Sequence, residues 1–432
     1  MKFNKWTVGL AAVGVVSLAS AARADEQMSQ VQTALSQTTL SGYVDTAMQW
    51  NPATDKSSPN VYPGNVPKYA FAQDDGFQFN AVDIALDKPE DTSQWAAGYH
   101  VEMMYGADAV GVPFGAAQPT SGAGPAATIR QAFIRLHTPV FGNGIDWQVG
   151  VWDNIIGYES NSDPLNPNYT RSYGYSIEPT TMTGVLGTYK VNDEISVSAG
   201  IADVEGGLGS ITPAFTPTAA FESQKAYMGD IALTAPDSMG FLKGATMTLA
   251  AVNGVDSAGS KGTTTSWYAG ATLPTPITQL KVGAAFDYLD EADLNATAAG
   301  THANGDDIWV AGLYATYQAT DKLSFNFRGE YVDDDSNPAI PAHGLVAAVP
   351  GDVVSLYSYY NPTTFTVHGN SAEELTATVQ YNLWANVMTR GEFRWDHVEH
   401  ADPFGAANQG AGIGTPFRSN DFLLALNIIY QF

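Results

Sequence analysis

From Leu40 to the last residue, apolar and polar side chains alternate with a period of two, the spacing of strands whose two faces meet different surroundings. Over residues 323–331, Leu323, Phe325, Phe327, Gly329 and Tyr331 fall on one face and Ser324, Asn326, Arg328 and Glu330 on the other. Val387, Thr389, Gly391, Phe393 and Trp395 alternate with Met388, Arg390, Glu392, Arg394 and Asp396. Tyr99, Val101, Met103 and Tyr105 alternate in the same way with His100, Glu102, Met104 and Gly106. Soluble antiparallel sheets alternate as well, so the position of the aromatics decides the environment. Tyr99 with Tyr105, Trp309 with Tyr317, and Phe393 with Trp395 lie towards the ends of apolar faces, where the girdles of a transmembrane barrel belong.

Sixteen such segments start near Leu40, Gly76, Trp95, Thr128, Ile145, Met182, Glu194, Gln224, Lys243, Thr265, Gln279, Asp307, Lys322, Ala372, Trp384 and Asn420. Each runs roughly nine to thirteen residues, enough for a tilted strand to cross a bilayer. Long connections, beginning near Asn51, Ala107, Asn154, Val204, Val255, Asp290, Asp334 and His397, alternate with short ones. The pattern predicts an all-β, up-and-down antiparallel transmembrane barrel of about sixteen strands over residues 40–432, with long external loops and short periplasmic turns. Short alternations near Val354 and Val367 leave room for extra strands inside one loop.

The two ends fit an exported barrel. Lys2 and Lys5 precede an apolar stretch from Val8 to Ala19, and Ala22-Arg23-Ala24 supplies an A-x-A site. Residues 1–24 therefore read as a cleaved signal peptide, too short for a membrane anchor. Residues 25–39 read as a short periplasmic segment, and its small size argues against a plug. At the other end Phe422, Leu424, Leu426, Ile428, Tyr430 and Phe432 share one face, the pattern of a terminal strand that barrel assembly recognises.

Composition agrees with one wet and one oily face. Hydrophobic residues make up 44% and charged residues only 15%, while mean hydropathy is −0.11. There is no cysteine, which excludes disulfide scaffolds and thiol-attached cofactors. Net charge is −25, and losing the leader takes Lys+Arg from 19 to 16 against 44 acids, leaving −28. So acidic a chain repels nucleic acid.

One block is more specific. Gly157-Tyr158-Glu159, Asn168-Tyr169-Thr170-Arg171-Ser172-Tyr173, Pro179 and Thr183-Gly184, with Ser41-Gly42-Tyr43-Val44-Asp45 and residues 129–134 (IRQAFI), resemble the OmpL-like β-barrel porin-2 family. The resemblance implies a bacterial outer-membrane porin with no catalytic residue and no assigned substrate. The segment from Asn154 to Thr181 becomes the third external loop, which in general porins folds into the lumen; packing over the rim is the plainer alternative. Its constriction candidates are Glu159, Asp163, Arg171 and Glu178.

Alternation places acids at Asp45, Asp83, Glu102, Asp146, Glu194, Asp230, Asp287, Glu330, Glu374, Glu392 and Asp396 on the lumen face, against bases at Arg135, Lys281, Arg328, Arg390 and Arg394. The pore-lining candidates are Arg135, Arg328, Glu330, Arg390, Glu392, Arg394 and Asp396. A basic wall facing an acidic loop sets up a transverse field; equally, neighbouring charges on the ladder neutralise one another. Acid runs at Asp306-Asp307 and Asp333-Asp334-Asp335 match no EF-hand, so no metal and no cofactor is expected. Motifs for hydrolases, zinc proteases and nucleotide binding are missing, and the chain is not read as an enzyme. The expected function is passive diffusion of small hydrophilic solutes or ions with modest cation preference, in outer-membrane lipid, with self-association left open. A barrel whose loops bind a surface or protein partner, carried by Tyr357, Tyr359 and Tyr360, is the alternative.

Deleting Phe432, or Phe432→Asp, is expected to impair assembly of the closing strand. The yield of heat-modifiable barrel on gels measures this, and a normal yield contradicts it.

Overall fold

The computed structural model describes residues 37–52, 75–110, 126–179, 181–203, 225–255, 263–291, 306–334, 359–361, 366–368, 370–399 and 419–432. The expected leader, the tail before residue 37, Asp335 and Tyr357 lie outside the described residues. The chain forms β1 (Thr39–Trp50), β2 (Gly76–Lys88), β3 (Ala96–Gly106), β4 (Ala126–Thr138), β5 (Ile145–Asp153) and β6 (Thr181–Lys190). It continues through β7 (Ile195–Asp203), β8 (Lys225–Thr234), β9 (Thr246–Val255), β10 (Thr263–Pro274), β11 (Leu280–Glu291) and β12 (Asp306–Gln318). Then come β13 (Leu323–Asp334), two short strands β14 (Tyr359–Asn361) and β15 (Thr366–His368), and finally β16 (Asn370–Trp384), β17 (Val387–Val398) and β18 (Asn420–Gln431).

Sixteen strands close on themselves as an antiparallel barrel, and β14 pairs with β15 as a separate hairpin. The extra alternation near Val367 is therefore real but adds nothing to the barrel count. Closure runs from Tyr43 opposite Gln431 to Trp50 opposite Leu424. Gly42 and Phe432 exchange both backbone hydrogen bonds at 3.0 Å. Since lipid offers no hydrogen bonds, closure is what satisfies the edge strands.

Most expected strand starts are within two residues of the observed ones, and three differences have a clear local reason. The strand expected at Lys243 starts at Thr246, because a 3-10 turn over Asp237–Leu242 and positive φ at Gly240 and Gly244 delay it. Trp384 ends β16 instead of opening β17. Glu194 belongs to a turn in which Asn192 Oδ1 accepts from the amides of Glu194 and Ile195 at 3.0 and 2.7 Å, a side-chain-built turn. It is not a wall residue. The acids at Asp290, Asp306, Asp307, Asp333 and Asp334 sit at strand ends, not within loops.

The faces follow the alternation. Leu313, Leu375 and Leu426 point outward and are more than half exposed, whereas Leu423 and Ile429 on the opposite parity are buried. Aromatics cluster outward near both rims: Trp309 lies 5.4 Å from Tyr331 and 6.1 Å from Phe286, and Tyr430 stacks on Phe432 at 6.4 Å. The register breaks at three places among the described strands, once at Leu383 beside the β16–β17 turn and twice within the wall. In β2 the register skips Asn80, and in β4 it skips Arg130. Each bulge places two successive residues against one, which turns Asn80 and Arg130 inward, and both are buried.

Phe327→Arg on the outer face is expected to destabilise by ~2–4 kcal/mol, measured by urea unfolding from lipid vesicles. Asn326, which alternation also turns inward, is no neutral control, because it is only 2% exposed and its Nδ2 donates to Pro167 O at 3.0 Å. Ser198→Arg, at a half-buried inward site, is the low-cost partner. Equal costs at Phe327 and Ser198 contradict the face assignment.

Candidate functional site

Between β5 and β6, residues 154–179 turn into the barrel instead of lying over its rim. Asn168, Arg171 and Tyr173 are completely covered, and Asn161, Asp163, Asn166, Tyr169, Thr170, Ser172, Tyr175, Ile177 and Glu178 are buried. A loop placed there leaves backbone groups with no strand to pair with, and each must find a partner. The inner wall supplies them through charged side chains.

Three arginines take the carbonyls. Arg390 on β17 donates through Nη1 to Asp163 O, Asn166 O and Asn168 O at 3.3, 2.9 and 2.9 Å. Arg394, four residues on, donates to Arg171 O at 2.7 Å and lies 5.0 Å over the Tyr173 ring. Arg328 on β13 donates to Thr170 O at 2.7 Å and to Glu159 Oε1 at 2.8 Å. Carboxylates take the amides. Glu392 accepts from Tyr169 N and Thr170 N at 2.5 and 2.9 Å, and Glu330 from Tyr173 N and Gly174 N at 2.8 and 3.2 Å. These last two amides open α1 (Tyr173–Ile177), whose N-cap Ser172 accepts from Tyr175 N through Oγ at 3.0 Å. The helix start thus has its free N–H groups satisfied by a hydroxyl and a carboxylate.

Inside the loop, Arg171 donates to Asp163 Oδ1 at 2.7 Å and lies 5.7 Å over Tyr175. Burial works against the Arg171 cation, but Asp163 outweighs it and holds the guanidinium above its ordinary range. Burial likewise pushes the Tyr175 phenol upward. On the loop's first leg Tyr158 stacks on Tyr314 at 4.1 Å and meets Thr272 Oγ1 at 3.0 Å.

Ten of the eleven candidates therefore meet at one place. Glu159, Asp163, Arg171 and Glu178 of the loop, and Arg328, Glu330, Arg390, Glu392, Arg394 and Asp396 of the wall, are brought together with side chains or whole residues buried. The loop does not face the basic wall across water; it is docked on it. Arg135 stands apart, a quarter exposed, paired with Asp87 Oδ1 at 2.6 Å. Of the other listed acids, Asp45, Asp83, Glu102, Asp287 and Glu374 are buried. Sequence reasoning missed Arg130, which binds Glu102 and, at 2.6 Å, Asp153. Strict alternation puts it on the lipid face, and only the bulge turns it round. Among the described residues no group of His, Asp and Glu is arranged to hold a metal ion.

The opposite arc differs. His137, Asp146, Thr188, Ser198 and Asp230 are cross-strand neighbours in one row across β4 to β8. All point inward, and each is partly or wholly exposed. Thr188 and Ser198 hydroxyls bond at 3.0 Å, and His137 Nδ1 lies 2.6 Å from Asp146.

A closed sixteen-strand barrel with a loop folded into its lumen and a polar strip left beside it is a porin-type outer-membrane barrel. The chain belongs to the OmpL-like beta-barrel porin-2 family, whose model matches residues 37–432, so its compartment is the bacterial outer membrane. It is similar to the outer membrane channel DcaP of Acinetobacter baumannii (10% identity, TM-score 0.56, covering 91% of this chain and 97% of that one). The anion-selective porin from Comamonas acidovorans is similar too (12% identity, TM-score 0.56, 91% and 99% covered). So is OmpT of Vibrio cholerae (12% identity, TM-score 0.54, 91% and 97% covered). Identities this low establish the fold alone. No curated protein matches the chain.

Arg390→Gln is expected to free the loop while the barrel stays closed. Three buried carbonyls lose their donor, at ~1–3 kcal/mol for each left unsatisfied. Trypsin should then cut at Arg171 in the folded variant but not in the native protein. Resistance of the variant at Arg171 argues against the clamp.

Proposed function

We propose that the barrel is a passive diffusion porin for small hydrophilic solutes and ions, and that solutes pass along the β4–β8 arc beside the docked loop. The observation that carries this is the row His137–Asp146–Thr188–Ser198–Asp230, a polar strip with partial exposure on the side the arginine clamp leaves clear. Hydroxyls and carboxylates at that spacing replace water's hydrogen bonds without holding any solute tightly, which is what diffusion requires. We read no catalytic role into the chain. Its exposed outer leucines and aromatics suit outer-membrane lipid, residues 1–24 suit a removed leader, and self-association stays open.

The charge along the path is small. Arg135 is paired with Asp87, and Lys225 with Asp203 at 2.9 Å, while Asp146 hydrogen-bonds to the His137 ring. Asp230 hydrogen-bonds to Ser198 and adds a negative charge beside the strip. Further carboxylates sit at the loop-side strand ends, at Asp290, Asp307 and Asp333. The clamp arginines, each bound to carbonyls and carboxylates beneath the loop, have no open face from which to attract anions. These features support a modest cation preference that fades with salt, because the Debye length is only ~8 Å at physiological ionic strength.

Reversal potentials of the purified protein in a KCl gradient across a planar bilayer test the reading. Cation preference is expected at low salt, reduced by Asp230→Asn. Preference for anions overturns the selectivity, and absence of conductance overturns the pore.

A further inference from the structure

The described chain buries twelve carboxyl groups but only five arginines and no lysine. Burying a charge without a partner is costly, so such groups are paired or give up their charge. The arginines are already committed: Arg130 to Glu102 and Asp153, Arg171 to Asp163, Arg328 to Glu159 and Glu374, and Arg394 to Asp396, while Arg390 holds the loop carbonyls. The surplus of acid is most concentrated where the loop returns towards β6. There Glu178 of the loop meets Asp287 of β11, carboxyl to carboxyl.

The fit around this pair is close. A Cβ at Gly157 would stand 2.6 Å from Glu178 Oε2, and one at Gly174 would stand 2.7 Å from Asp287 Oδ2. Two loop glycines thus make the space that the two carboxyls fill. Asp287 Oδ1 is buried without a hydrogen-bond partner. Four groups face the pair from three elements: Glu330 from β13, Tyr268 from β10, and Glu159 and Tyr175 from the loop itself. None of these is a cation. Two carboxylates in contact repel each other, whereas a carboxyl and a carboxylate share a hydrogen bond.

We propose that Glu178 and Asp287 hold one proton between them and so act as a positioning pair that fastens the returning leg of the loop to β11. Solvent supplies the proton when the loop docks and takes it back when the leg lifts. Burial, and after it the charge of Asp287, pushes the Glu178 carboxyl well above the usual carboxylate range. A group whose value is higher docked than free stabilises docking at low pH and loses that contribution as pH rises through the docked value. The leg is therefore fastened in acid and at neutrality and released in alkali, which widens the path beside it.

Two readings test this, and the first does not depend on conduction. Infrared difference spectra of the native protein in lipid should show a protonated carboxyl band at neutral pH that disappears on raising the pH and is missing from Glu178→Gln. Absence of that band, or its persistence in Glu178→Gln and in Asp287→Asn, overturns the proposal. The second rests on the pore proposed above. Single-channel conductance of the native protein should step upward as the pH is raised from acid to alkali, because burial lifts the Glu178 carboxyl well above the usual carboxylate range. Glu178→Gln, which keeps a neutral hydrogen-bonding group, should stay at the low level throughout. A native profile without a step, or the same step in Glu178→Gln, overturns the positioning role. A protein that shows the band but never conducts leaves the proton pair standing and removes the pore.

Discussion

A backbone that enters the lumen of a membrane barrel must have its amides and carbonyls satisfied there, and the structure depends on how the wall meets that demand. Arg390 alone takes three carbonyls, while Glu392 and Glu330 take two amides each. Side chains do for the loop what a neighbouring strand does elsewhere in the barrel. Charged donors and acceptors suit the task because their hydrogen bonds are about twice as strong as neutral ones. Each arginine is in turn held in place: Arg394 by Asp396 and Arg328 by Glu374. The residues that sequence alternation places on the lumen face thus form a socket.

That socket explains the asymmetry of the interior. The clamp lies on β13, β16 and β17, and the loop extends from it to Tyr43 on β1, Asp287 on β11 and Thr272 on β10. Apolar contacts complete the docking: Tyr173, Ile177, Ile156 and Trp152 join Met182, Leu186, Met228 and Tyr314 in one buried cluster. Much of the inner wall is therefore packed like the core of a soluble protein, and water is left to the hydroxyl-lined arc. The polar-in, apolar-out rule of barrels holds along the row from His137 to Asp230, whereas Leu186 and Met228, two residues from Thr188 and Asp230 on the same inward faces, already belong to the buried cluster.

The barrel was legible because its signal is periodic and repeated. Sixteen stretches of alternation, each between connections of alternating length, converge on one count, and an error of three residues at Thr246 or Val387 does not change it. The site was legible only by class. Alternation put Arg328, Arg390 and Arg394 on the lumen face but carried no information on what lies across from them, because contacts such as Arg390 with Asn168, 222 residues apart in sequence, leave no local pattern. Asn326 shows the same, since its inward face is closed by Pro167 of the loop. Arg130 and Asn80 were hidden differently: a bulge adds one residue and reverses parity, and neither sequence neighbourhood carries a glycine to mark it.

Buried charge also bears on what passes through. Counting lumen-facing acids against bases treats every side chain as if it met the solute, whereas seven of those sixteen, Asp287, Glu330, Glu392, Asp396, Arg328, Arg390 and Arg394, meet the loop. A carboxylate that accepts two loop amides, or a guanidinium enclosed by carbonyls, has its field largely cancelled at close range. On the path proposed above, a solute meets the remainder, a row of hydroxyls that ends at Asp230. A formal charge of −25 is compatible with such a path being far less charged than the chain. On that proposal, selectivity is set less by how many charges face inward than by which of them the loop has already taken.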